Sequence, residues 1–165
     1  MRSHTPDSIP PPTVRKDTDK DLSGEVWSNA DVSGSVFVGC QFTGSSFDAT
    51  RICGARFTEC TFTKCTFTRA DLSEATFTGC TLGAGKQEQA SHVKFSNLKN
   101  AVFRNCNLNL TRLEGCDLLG VEFHGCVLKG ADFRKSRFYH SVSRSMSFAS
   151  AIFESCKLDY ADLSG

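Results

Sequence analysis

The sequence predicts an all-β solenoid, a chain wound into square coils that stack along one axis. Three observations predict it. Large apolar side chains recur at every fifth residue, a small residue stands two places before most of them, and glycine closes many of the units. In the run FTECTFTKCTFTRADL the large positions are Phe57, Phe62, Phe67 and Leu72, while Cys60, Cys65 and Ala70 keep the same step. A helix requires steps of three and four and a strand steps of two, so this period belongs to neither. Two inward residues per unit imply a chain that turns one corner per unit. Four corners close a coil of about twenty residues, and coils joined by backbone hydrogen bonds stack at roughly 4.8 Å.

The elements follow in chain order. Residues 1–16, with Pro10, Pro11 and Pro12 in polar surroundings, read as a flexible Pro-rich tail, leaving 17–165 to the β-helix. The first set of large centres is Leu22, Trp27, Val32, Phe37, Phe42, Phe47, Ile52, Phe57, Phe62, Phe67, Leu72, Phe77 and Leu82. The second set runs in steps of five from Leu98 to Leu163, one residue out of phase, with Ser143 as its single polar member. Together the centres make nearly seven coils, a rod roughly 30 Å long at strand spacing. Thirteen of the fourteen phenylalanines are centres, and Phe95 is the exception.

The repeat fails twice. GAGKQEQASH, Gly83 to His92, offers no residue suited to a core slot and is expected to leave the coil as an exposed loop (83–92), with Val93 placed to resume the core. YHSVSRSMS, Tyr139 to Ser147, surrounds the anomalous Ser143 and is expected to bulge outward (139–147) without losing phase. Breaks in a regular scaffold are where function is expected. Two of them on one short rod, each mixing polar and apolar residues, point to recognition.

Eight of the nine cysteines occupy the small slot, which they share with Ala, Ser and Thr. Without a C-x-x-C or Cys/His spacing they read as buried filler, so no metal and no cofactor is expected. A twenty-residue coil puts Cys40, Cys60 and Cys80 in one inner column and Cys106 and Cys126 in another, within Cα reach of a disulfide, and leaves an oxidised pair open. The four histidines are scattered and no nucleophile–base constellation is present, so the chain does not read as an enzyme. The net charge is +1, no apolar run is long enough to span a bilayer, and no secretory signal is visible. A cytoplasmic location without a membrane partner is the expectation. Residues 17–48 are acidic, and residues 49–158 carry a net charge of +6, with Arg104, His124 and Arg144 expected in one outward column. Direct nucleic-acid binding is disfavoured, because nearly all aromatic rings are committed to the core rather than free as stacking platforms.

The units A-D-L-S-E, A-D-F-R-K and A-D-L-S-G, at Ala70, Ala131 and Ala161, resemble the pentapeptide-repeat family, whose fold is a right-handed quadrilateral β-helix. The resemblance covers residues 20 to 165. The run from Phe103 to Gly165 is similar to the central portion of the quinolone-resistance (Qnr) members of that family. That resemblance implies binding to bacterial type II topoisomerases, DNA gyrase foremost and topoisomerase IV beside it, and protection from fluoroquinolones or from a gyrase-directed toxin. It also implies two required loops. The corresponding residues are Gly85, Lys86, Gln87, Glu88 and Gln89 in the first, and Tyr139, His140, Ser143, Arg144 and Met146 in the second. The chain stops at DYADLSG without the dimerising helix of such proteins, so it reads as a shortened relative, as a truncated chain, or as one that pairs end to end into a homodimer. The alternative reading is a structural or protein-interaction scaffold without a topoisomerase partner. Its surface would be polar ladders such as Thr43 with Thr63 and Thr58 with Thr78.

Overall fold

The computed structural model describes residues 13–143, 146–149 and 151–164, and for Gln87, 139–143 and 146–149 the backbone course alone. The chain forms short strands separated by tight corners: β1 (Lys16–Thr18), β2 (Val36–Val38), β3 (Arg56–Thr58), β4 (Thr66–Thr68), β5 (Thr76–Thr78), β6 (His92–Lys94), β7 (Val102–Arg104), β8 (Glu122–His124), β9 (Tyr139–Ser143), β10 (Met146–Ala149) and β11 (Ile152–Glu154). One wall is a seven-stranded parallel sheet in the order β1-β2-β3-β5-β7-β8-β11. Isolated parallel bridges such as Asp21 to Gln41, Val26 to Ser46 and Asp31 to Arg51 carry the same pairing around the other three walls. The result is the quadrilateral β-helix that the five-residue period predicts.

Each centre enters one of four axial columns. Along the sheet wall the column is phenylalanine from β2 onward: Phe37, Phe57, Phe77, Phe103, Phe123 and Phe153 lie face to face, with ring centroids 4.8 to 5.1 Å apart. Strand spacing and ring stacking distance coincide, so one backbone repeat satisfies both.

The coil-to-coil step is twenty residues, as from Arg56 to Thr76, except across the two breaks. Thr66 pairs with His92 across 26 residues and Glu122 with Ile152 across 30, so the insertions contain six and ten residues. This corrects three sequence expectations. Ser143 and Phe148 are not coil centres but part of an antiparallel hairpin, β9 with β10. The outward column of Arg104 and His124 continues into Glu154 instead of Arg144. And Cys40, Cys60, Cys80, Cys106, Cys126 and Cys156 form a single column rather than two, because the insertions bring the later cysteines back above the earlier ones.

The corners explain why that column is cysteine. Outside the two breaks, the described corners turn on a residue of positive φ two places after a centre, for example Gly54 (φ 63°) and Glu74 (φ 59°). At many corners the next small residue closes a turn by donating its N–H to the centre's carbonyl, as Ala75 does to Leu72 (3.1 Å) and Ala55 to Ile52 (3.1 Å). Where the turn bond is present, the slot one coil above needs no polar atom: Ala75 stands above Ala55. The corners of the phenylalanine column lack that bond. There the thiol of the next coil reaches the free carbonyl: Cys60 to Phe37, Cys80 to Phe57, Cys106 to Phe77 and Cys126 to Phe103, each at 3.4 Å. Serine does the same work elsewhere. Ser96 Oγ donates to the Phe67 carbonyl (2.7 Å) and accepts from the Ala70 N–H (3.0 Å). Thr50 Oγ1 shares the Trp27 carbonyl (2.8 Å) with the turn bond from Ala30, whereas Thr111, above the Leu82–Ser91 turn bond, leaves its Oγ1 without a partner among the described residues.

The thiols are therefore hydrogen-bonding filler, and all nine cysteines are free. Cys106→Ser should keep the bond to Phe77 and melt close to the parent. Cys106→Val leaves that buried carbonyl unpaired and should lower unfolding free energy by about 1–3 kcal/mol. Urea denaturation of the two variants side by side checks the order, and a serine variant weaker than the valine variant would contradict the account.

The ends of the column differ. Beneath Phe37 the slot holds Asp17, buried yet paired with Lys20 (2.6 Å) and Arg15 (2.8 Å). The hydrogen bond from Lys20, helped by Arg15, holds its carboxyl below the usual aspartate value despite burial. The Arg15 guanidinium also lies 4.5 Å over the ring of Trp27, closing this end of the core with charge. At the other end Phe138, Ala151, Phe153 and Leu163 line an open apolar recess of about 140 Å³.

Candidate partner-binding loops

The first loop begins where Leu82 and Gly83 both donate to the Asn107 carbonyl (2.9 Å each) and Ala84 donates to Asn109 (3.1 Å). Glycine is required at 83 by close approach: a Cβ there would stand 2.2 Å from the backbone nitrogen of Asn109. A 3-10 turn, Gln87–Gln89, reverses the chain, and the Gln89 carbonyl is fixed by the N–H of Lys64 (3.0 Å). Ser91 then donates to Leu82 (2.9 Å), the ordinary corner bond, as though the intervening residues were absent.

The loop is thus shorter than the sequence suggests. Ala90 and Ser91 are buried, and His92 belongs to β6, so the expectation of nothing fit for the core in 83–92 is corrected at its C-terminal end. Val93 resumes the core as expected. Gly85, Lys86, Glu88 and Gln89 are exposed together on one turn, with Gln87 between them in the chain. His92 is held below the usual histidine value, first by burial and then by Arg112 and Lys94, and so stays neutral at the loop's root.

The second break is a hairpin. β9 and β10 pair antiparallel, with Tyr139 opposite Ala149, His140 opposite Phe148 and Ser143 opposite Met146, and with an irregularity between Met146 and Ser147. Tyr139, His140, Ser143 and Met146 therefore share one two-stranded ribbon; Arg144 lies outside the described residues. The chain returns to the coil at β11, which pairs in register on β8.

The two loops are not brought together. The first leaves the corner between the Leu82 and Val93 columns, and the hairpin leaves the corner between the Phe138 and phenylalanine columns, diagonally across the square.

One cluster at the hairpin's base was not legible in the sequence. His124 on β8 holds Glu154 of β11 through Nδ1 and Glu122 through Nε2, both at 2.8 Å. Ionised carboxylates only accept, so the two contacts are satisfied together only by the protonated imidazole, with both ring nitrogens donating. The bond to Glu122, then that to Glu154, raises its pKa above the usual histidine value. A raised folded-state pKa contributes stability that is complete below the unfolded value and lost as pH rises through the folded value. The β8–β11 contact should therefore loosen as pH climbs above neutrality. His124→Gln should flatten that dependence in melts recorded between about pH 6 and 9. A parent melting temperature that rises over that window would contradict the assignment.

Among the described residues no group of three or more His, Cys, Asp or Glu side chains is placed to hold a metal ion, and no helix is long and apolar enough to cross a membrane. Comparison with known proteins gives a consistent family. A model of the pentapeptide repeat region matches residues 20–85, and a model of pentapeptide repeats matches 96–134 and 126–165. The chain is 31% identical over 95 residues to the quinolone resistance pentapeptide repeat protein QnrB96 of Scandinavium goeteborgense, covering 58% of this chain and 44% of that protein. It is 31% identical over 85 residues to the pentapeptide repeat protein QnrB4 of Escherichia coli, covering 52% and 40%. The chain thus spans less than half the length of these curated relatives. Full-length QnrB1, a plasmid-mediated fluoroquinolone resistance protein, superposes with a TM-score of 0.61 at 29% identity, over 70% of this chain and 57% of that one. A parallel β-helix built on a five-residue period, with repeat matches along most of its length, makes this chain a member of the pentapeptide-repeat proteins that resembles the Qnr group.

Proposed function

We propose that this chain is a non-enzymatic binding protein that engages a bacterial type II topoisomerase, DNA gyrase or topoisomerase IV, through its two loops. By doing so it protects the enzyme from fluoroquinolones or from a gyrase-directed toxin. The observation that carries this reading is that both insertions leave the rod undisturbed: Ser91 closes the corner on Leu82, and β11 settles on β8 in register. The fold has no structural need of either loop, yet holds each at a fixed corner, which is how a rigid scaffold presents recognition elements. The similarity to Qnr proteins supplies the kind of partner. Gly85, Lys86, Gln87, Glu88 and Gln89 are the proposed contacts of the first loop. Tyr139, His140, Ser143, Arg144 and Met146 are those of the second.

Because the loops occupy opposite corners, a partner that touches both must span two adjacent walls of the rod. The open apolar recess at Phe138, Phe153 and Leu163 is the proposed site of end-to-end pairing, and the cytoplasm, where the target works, is the proposed location. A scaffold role is favoured by the in-register Thr58–Thr78 pair on the sheet wall, which gives a regular polar face without loops.

Gyrase supercoiling under a fluoroquinolone separates the two readings. Titrating in the intact chain should restore supercoiling, and the chain lacking residues 85–90 should not. No rescue by an intact chain that circular dichroism shows to be folded would sink the proposal in favour of the scaffold.

A further inference from the structure

Phe95 is the phenylalanine that the five-residue pattern leaves out, and its side chain is 58% exposed. Its backbone lies at φ 52°, in the left-handed region that a bulky residue enters only at a cost. Its ring contributes nothing to the core in return. Instead it lies against Gly115, the corner residue one coil above, so closely that a Cβ there would stand 2.5 Å from the ring. The missing side chain at 115 opens a groove of about 360 Å³, walled by Phe95 on one side and by Lys135 and Arg137 on the other.

The rim of this groove has an excess of cations. Glu114 is flanked by Lys94 (3.9 Å) and Lys135 (3.1 Å), and Asp117 by Lys99 (3.3 Å) and Arg137. Four cations against two carboxylates leave +2. The side chains of Lys135 and Arg137 are 74% and 66% exposed, so both can take a further acceptor.

We infer that this groove is a docking site for an acidic segment of a protein partner, which lays one apolar side chain against Phe95 and its carboxylates against Lys135 and Arg137. A strained, exposed aromatic beside a cationic rim is the composition of an interface anchor. A nucleic-acid strand fits less well: a single ring gives one stacking platform, and Glu114 and Asp117 interrupt any continuous track for phosphates. The groove lies across the β6 wall from the root of the first loop, so one partner can reach both. The inference goes beyond the topoisomerase reading and does not require it.

The test uses the full chain and short blocked peptides, followed by amide NMR. Glu-Glu-Phe-Glu-Glu should give saturable shifts at Phe95, Gly115 and Arg137. Replacing the central Phe by Ala should weaken binding about fivefold or more, and replacing the acids by Lys should abolish it. Phe95→Ser, and Lys135→Glu together with Arg137→Glu, should each weaken the acidic peptide about fivefold or more while shifts elsewhere in the spectrum stay put. Should the double reversal disturb the fold, Phe95→Ser decides alone. Absence of saturable shifts, equal binding of the three peptides, or binding unaffected by Phe95→Ser would each overturn the inference.

Discussion

Replacing Phe103 by alanine should remove about 3–5 kcal/mol of unfolding free energy, a large share of the roughly 5–15 kcal/mol that holds a domain folded. The side chain is 2% exposed and sits mid-stack, 4.8 Å from Phe77 and 5.0 Å from Phe123, with nearly parallel rings on both sides. Truncation leaves a phenyl-sized void that neighbours cannot fill, because every inward residue is tied to a backbone fixed at strand spacing. It also removes two stacked pairs, each worth about 0.5–1.5 kcal/mol. A solenoid transmits stability only between adjacent coils, so a mid-rod lesion weakens the coupling of its two halves. Phe153 belongs to the same column but is only partly buried at the open recess, and its truncation should cost less than half as much. Urea unfolding of the two variants measures the gradient. Equal losses would mean that the column is not the cooperative element described above.

Which parts of this architecture the sequence discloses depends on arithmetic more than on chemistry. The centres and small slots are visible because two inward residues in five suit a corner and suit neither a helix nor a plain strand. The first insertion is visible because six residues are not a multiple of the period, so Leu98 onward is out of phase with Leu82. The second holds ten residues and leaves the phase intact. Ser143 and Phe148 therefore pass as coil centres, Arg144 passes for the neighbour of His124, and the partnership of His124 with Glu154 is hidden. The cysteine column is obscured for the same reason, since twenty-residue counting fails across both breaks. The alternation of Cys or Ser with Ala is in the sequence, but it acquires meaning only once the corners lacking a turn bond are known. The proposed loop residues fall in the two breaks, where the period places no constraint on residue type, and only the resemblance singles them out.

The same arithmetic decides how the first loop can be removed. Cutting residues 85–90 takes out six, returns the step from Leu82 to the Val93 position to five, and leaves two residues to make the corner before Ser91. The 26-residue pairing of Thr66 with His92 becomes twenty, like its neighbours. This variant should melt within a few degrees of the parent, since the excised residues bring to the core little beyond the small side chain of Ala90. Cutting 83–92, the span that the sequence alone marks as irregular, takes out ten and joins Leu82 to Val93. A step of five from Leu82 then lands on Asn97, and continuing in steps of five would send Asn107, Arg112, Asp117 and Glu122 inward. The chain can avoid this only by keeping one surplus residue and rotating all later coils by a quarter turn. Phe103 then no longer stacks on Phe77, and Cys106 no longer meets the Phe77 carbonyl. The loss should reach several kcal/mol, a fall of more than about 10 °C in Tm. Both variants lack Lys86 to Gln89 and both should fail to protect gyrase, but only the first fails while folded. Protection by the 85–90 deletion at the parent's level would remove the first loop from the binding surface, while a 83–92 deletion as stable as the parent would refute the register.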